Sequence, residues 1–73
     1  MSAILYPEYD RLCRAAKSKG LYVGIQNAGG QLFLIVEKPK PTKNVMLVTV
    51  PFFLDRVDDC AETAIRFLTM GND

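Results

Sequence analysis

Few side chains in this 73-residue chain could do chemistry. Four carboxylates, Asp55, Asp58, Asp59 and Glu62, crowd one stretch, and hard cations take carboxylate oxygens. The same four fall where a helix is expected to begin, and acidic groups in a first turn offset the helix macrodipole with no ligand at all. The two thiols, Cys13 and Cys60, are too few to hold zinc by themselves. There is no histidine, which removes His-based acid–base catalysis, Cys–His nucleophilic pairs and histidine-containing metal sites. The glycines of GIQNAGGQ (Gly24–Gln31) do not form a G-x-x-x-x-G-K-[ST] phosphate loop and lead into a strand rather than a helix. The residues therefore point to no catalytic group, no cofactor and no metal, and to a protein that is not an enzyme.

Binding chemistry is what remains. The polar run EKPKPTKN (Glu37–Asn44) carries Lys38, Lys40 and Lys43 between prolines. Together with Arg11, Arg14, Lys17 and Lys19 these give residues 1–43 a charge of +4, while residues 44–73 carry −3. The whole chain is only +1, so no global field draws it to nucleic acid or an anionic membrane. Prolines keep the lysine run extended and lysines discourage edge pairing, which is enough to explain a solvated spacer. A grip on an anionic partner is the competing reading.

Periodicity places these residues on elements. Pro7 suits a first helical position, Tyr9, Leu12, Cys13 and Ala16 recur on one helical face, and Gly20 suits the C′ position; a helix is expected over 7–19. Asp10 and Arg14 form an i,i+4 pair on it. LYVGIQ alternates as a strand, NAGG (Asn27–Gly30) is a hairpin turn, and QLFLIVEK is a second strand, with Gln26 opposite Gln31 and Ile25 opposite Leu32. VMLVTV (Val45–Val50) is a third strand, with Val36 opposite Val45. Asp55 reads as an N-cap, with Asp58 completing a capping box. Val57, Cys60, Ala61, Ala64, Ile65 and Leu68 then make the apolar stripe of a second helix ending at Gly71. The expected fold is a single α+β domain over 1–73, in the order α-β-β-β-α. Its three-stranded antiparallel meander has both helices on one face, 1–6 as a flexible N-terminal segment and 71–73 as a tail.

Free thiols on apolar stripes imply a reducing compartment. MSAILYPEYD has no basic segment of a signal peptide, and no apolar run approaches a membrane span; a cytoplasmic protein with no membrane partner is expected. The sheet face away from the helices would carry Tyr22, Phe33, Ile35, Met46 and Val48. Either this patch meets a partner or a second copy, or SAILY or PFF (Pro51–Phe53) folds over it. The candidate partner-binding residues are Arg14, Lys17, Lys38 and Lys40 for charged contacts. Tyr22, Phe33 and Ile35 are the candidate anchors, with Ile4–Tyr6 as a mobile alternative.

The α-β-β-β-α order resembles double-stranded-RNA-binding domains and the small ribonuclease toxins that share their topology. The former use lysines where this chain has DRVDD (Asp55–Asp59), and the latter a histidine, so their functions do not transfer. In length, near-neutral charge and compact α/β character the chain is similar to small phage-encoded transcription regulators, of the type found in a Xanthomonas phage. These bind host RNA polymerase, inhibit initiation and allow readthrough of terminators. The resemblance implies a non-enzymatic regulator with host RNA polymerase as its partner. The alternatives are a weak nucleic-acid-binding module that uses the lysine loop beside Tyr22 and Phe33, and a homodimeric accessory protein; monomer and weak homodimer both stay open.

Overall fold

The computed structural model describes residues 5–70. Helix α1 spans Pro7–Ser18, strands β1, β2 and β3 span Tyr22–Ala28, Gln31–Lys38 and Val45–Pro51, and helix α2 spans Val57–Met70. The strands form one antiparallel sheet in the order β1-β2-β3. The expected α+β architecture is present.

Helix α1 begins at Pro7, where a missing N–H leaves no hydrogen bond unmade. It closes with a Schellman motif: the Gly20 N–H donates to the Lys17 carbonyl (3.1 Å) and the Leu21 N–H to the Ala16 carbonyl (2.8 Å). Leu12 and Ala16 are buried, and Tyr9 and Leu21 pack beside them.

The β1–β2 hairpin is tighter than its sequence suggests. Only Gly29 and Gly30 form the turn, at φ +61° and +82°, the pair of left-handed conformations that a type I′ turn needs. The Gly30 N–H donates to Asn27 Oδ1 (3.2 Å). Ala28 pairs with Gln31, so Gln26 faces Phe33 rather than Gln31, and Ile25 faces Leu34 rather than Leu32. The shift is by two residues, which preserves the face of every side chain.

The β2–β3 pairing differs more. Val36 faces Val48, not Val45, while Glu37 faces Met46, so Leu47 is the extra residue of a bulge. The bulge turns Val48 onto the helix-covered face, where it is buried, instead of the open face expected for it. β3 is apolar on both faces, so its pattern did not determine which residue points inward.

Helix α2 begins one residue later than expected. The Arg56 carbonyl accepts the Cys60 N–H (3.0 Å), which makes Arg56 and not Asp55 the N-cap. Asp58 is also used elsewhere: its Oδ1 accepts the Tyr9 N–H of α1 (3.4 Å), an amide in the first turn with no partner in its own helix. This contact joins the two helix N-termini. At the far end Lys19 and Leu68 line one cleft, so α1 and α2 run in the same direction. The expected stop at Gly71 lies outside the described residues.

The core lies between the helices and one sheet face: Leu12, Leu34, Val36, Val50, Ala61 and Ala64 are among its buried members. Phe52 belongs to it too, and its N–H donates to the Leu32 carbonyl (2.9 Å). Of PFF, then, the central residue faces the core and does not cover the open side of the sheet.

Candidate interaction surfaces

Across the open sheet face the register sets three rows: Tyr22, Glu37 and Met46; then Gly24, Ile35 and Thr49; then Gln26, Phe33 and Pro51. Tyr22 is 57% exposed, but its ring folds back along its own strand. A Cβ built on Gly24 would lie 3.0 Å from Tyr22 Cε2, so the absence of a side chain there is what lets the ring lie flat. Gly24 is the cross-strand partner of Ile35, which is only 7% exposed. The structure thus withdraws Ile35 from the surface and leaves Phe33 half-buried; of the three expected anchors only Tyr22 presents a large exposed area. The alternative anchor is only partly described: Leu5 and Tyr6 are exposed, and Ile4 lies outside the described residues.

The charged candidates divide as well. Arg14 is exposed on α1, and its Nε meets Asp10 Oδ2 at 2.8 Å. Lys17 lies in the last turn of α1, Lys38 ends β2, and Lys40 lies in the loop after it. The structure gathers these three lysines at one end of the molecule with Lys19, which shares a cleft with Lys38, and Lys43. Arg14 is apart from them, along α1. Phe33 sits at the opposite end of the sheet from Lys38. The seven candidates therefore do not make one surface.

Ion pairing sharpens that division. Among the described residues the ion pairs are Arg11–Glu8, Arg14–Asp10, Arg56–Asp59 and Arg66–Glu62, and each uses an arginine. None of these pairs uses a lysine. The acidic stretch of α2 is accounted for in the same way, with Asp59 and Glu62 on arginines and Asp58 on the Tyr9 amide. At the lysine end the one described carboxylate is Glu37, on the open face, where it accepts from Asn44 Nδ2 (3.4 Å). Like charges gather there at tolerable cost because both helix C-termini, each with partial negative charge, point the same way. Helix α2 has no basic residue in its own last turn.

A surface that the sequence reading did not identify lies along β3. A trough opens between β3 and α2, with Leu47 and Thr49 on the strand side and Phe67 and Met70 on the helix side. Its basic end is a cleft of about 340 Å³ lined by Lys19, Leu21, Lys38, Leu47 and Phe67. It continues past Met70 and Thr49 toward Pro51 and Phe53 through spaces of about 420 and 510 Å³. Phe67 borders all three and is 51% exposed, Leu47 is 47% exposed and Met70 70%. A signal for it does exist in the chain: Cys60, Thr63, Phe67 and Met70 recur at helical spacing beside the core stripe.

Tyr9 and Cys13, on α1 and away from the trough, have raised pKa values. Burial pushes the Tyr9 phenol up, helped by neighbouring Cys13 and, more weakly, by Tyr22. Burial also pushes the Cys13 thiol up, with the Asp10 carboxylate adding to it and a hydrogen bond with Tyr9 opposing. Both shifts hold the groups neutral, and Cys13 and Cys60 are free thiols. No described helix is long and apolar enough to cross a membrane.

No protein-family model matches the chain, and neither the curated proteins nor the solved structures compared with it yielded a match.

Proposed function

We propose that this chain is a non-enzymatic protein-binding regulator that docks on bacterial RNA polymerase in the cytoplasm, inhibiting transcription initiation or promoting antitermination. One observation supports binding above all: exposed apolar side chains, Leu47, Phe67 and Met70, stand beside lysines that no described carboxylate neutralises. Aromatic anchors rimmed by charge carry most of the energy in protein interfaces, the anchors setting affinity and the charges orientation and encounter rate. RNA polymerase as the partner comes from the resemblance in size and charge to phage regulators. Acidic residues at the helix N-termini, paired with arginine, argue against a broad phosphate-binding face.

The test is a transcription reaction with purified bacterial RNA polymerase on a template carrying a promoter and a downstream terminator. The expected outcome is a dose-dependent loss of initiated transcripts or a rise in readthrough. Unchanged transcripts at saturating concentrations of the chain would remove the polymerase reading.

A further inference from the structure

The trough between β3 and α2 has the properties of a receptor for one kind of ligand. Its walls are apolar, with Phe67 shared along its length and Leu47 opposite. Its basic end is closed by Lys19 and Lys38, neither of which has an ion-pair partner among the described residues. No described carboxylate lines that end, and Glu37, next to Lys38 in β2, lies on the other face of the sheet. Its other end holds Arg56 and Asp59, which pair with each other. Among the described residues the trough is thus electrically one-sided.

The backbone adds a constraint on shape. Because the Phe52 N–H donates inward to the Leu32 carbonyl, alternation turns the main-chain groups of Val50 inward and those of Thr49 outward, into the trough. An outward N–H and C=O on an edge strand are met best by another extended chain. Pro51 has no N–H to offer and Leu47 is bulged, so such pairing is short and centred on Thr49. Side chains must then supply most of the affinity.

We infer that the trough binds an extended acidic segment of a partner protein, seating a bulky apolar side chain against Phe67 and Leu47 with carboxylates directed to Lys19 and Lys38. This deepens, and rests on, the reading of the chain as a protein-binding regulator; it adds where the partner is held and by what chemistry.

The experiment selects peptides from a random library by ribosome display against the full immobilised chain, then measures binding of the enriched peptides to variants. The expected enrichment is for peptides with Asp or Glu flanking one bulky apolar residue. Phe67→Ala is expected to weaken them by about tenfold or more, and Lys19→Glu with Lys38→Glu to abolish selection of the acidic ones. Tyr22→Ala is expected to leave them unchanged. Each variant is checked for an intact fold by its amide spectrum, and all four positions are exposed. Failure to enrich any peptide, enrichment of basic or uncharged peptides, or full binding by the Phe67 variant overturns the inference. So does displacement of the peptides by a single-stranded oligonucleotide, which would make nucleic acid the occupant, or by a second copy of the chain at raised concentration. The two readings fail separately. Polymerase bound equally by Phe67→Ala and wild type leaves the regulator standing without this trough, and acidic peptides bound with no effect on transcription leave the trough without that regulator.

Discussion

Phe67 and Leu34 mark the two fates of a large apolar side chain in this molecule. Leu34 is fully buried, and Leu34→Ala should cost about 2–5 kcal/mol. A domain of this size holds roughly 3–5 kcal/mol in all, so that variant is expected to be largely unfolded in a urea titration. Phe67 is half in water, and Phe67→Ala should cost only about 1 kcal/mol; a collapse of stability there would show that it is a core residue and not an anchor. Tyr9 and Cys13 give a pH signature. Their folded-state pKa values are raised, so on alkalinisation the unfolded chain loses these protons first, from about 8.5 for a thiol and about 10 for a phenol. The stabilisation is complete below that range and fades as pH rises through it. With no histidine to titrate, the urea midpoint should be level between about pH 6 and 8 and fall above about pH 9. A midpoint that climbs there would contradict both assignments.

At the scale of the element, the sheet shows what sequence can specify. Strand parity survives the two-residue shift of the β1–β2 hairpin because side chains alternate with period two, so the core face of Leu34 and Val36 was legible even with the register displaced. β3 offers no such control. VMLVTV is apolar on both faces, a bulge at Leu47 costs its pattern nothing, and Val48 went to the face opposite the expected one. The N-cap was missed for a related reason: Asp55 and Asp58 are both good capping residues, but Asp58 serves the amide of a different helix. The trough was the least legible feature. Thr63 interrupts the second stripe of α2, and Phe67 becomes a wall only once α2 is docked beside Leu47 and Thr49 of β3. Gly24 is a testable piece of this packing. Gly24→Ala should drive the Tyr22 ring off the sheet, since its Cβ would lie 3.0 Å from Cε2, and Ile35 methyl shifts should follow; an unmoved Tyr22 ring spectrum would contradict the arrangement.

At the scale of the whole molecule, charge is sorted by pairing as much as by position. Along the two helices Glu8, Asp10, Asp59 and Glu62 sit in arginine pairs of the exposed kind, each worth ~0–1 kcal/mol. The five lysines collect at one end of the molecule beside the mouth of the trough, with no such partners among the described residues. A chain of charge +1 therefore presents a local cationic end without a global field. Association through that end should slow as ionic strength passes about 0.15 M, where the Debye length is about 8 Å, while the apolar anchor keeps bound complexes in place. The most direct measurement is capture from nuclease-treated bacterial lysate on the tagged chain, run beside Phe67→Ala and the Lys19→Glu, Lys38→Glu double variant. The expected result is stoichiometric recovery of RNA polymerase subunits by the wild-type chain and their loss from both variants. Recovery of nothing once nucleic acid is removed, after material had been held in its presence, would contradict the account and make the lysines a nucleic-acid contact.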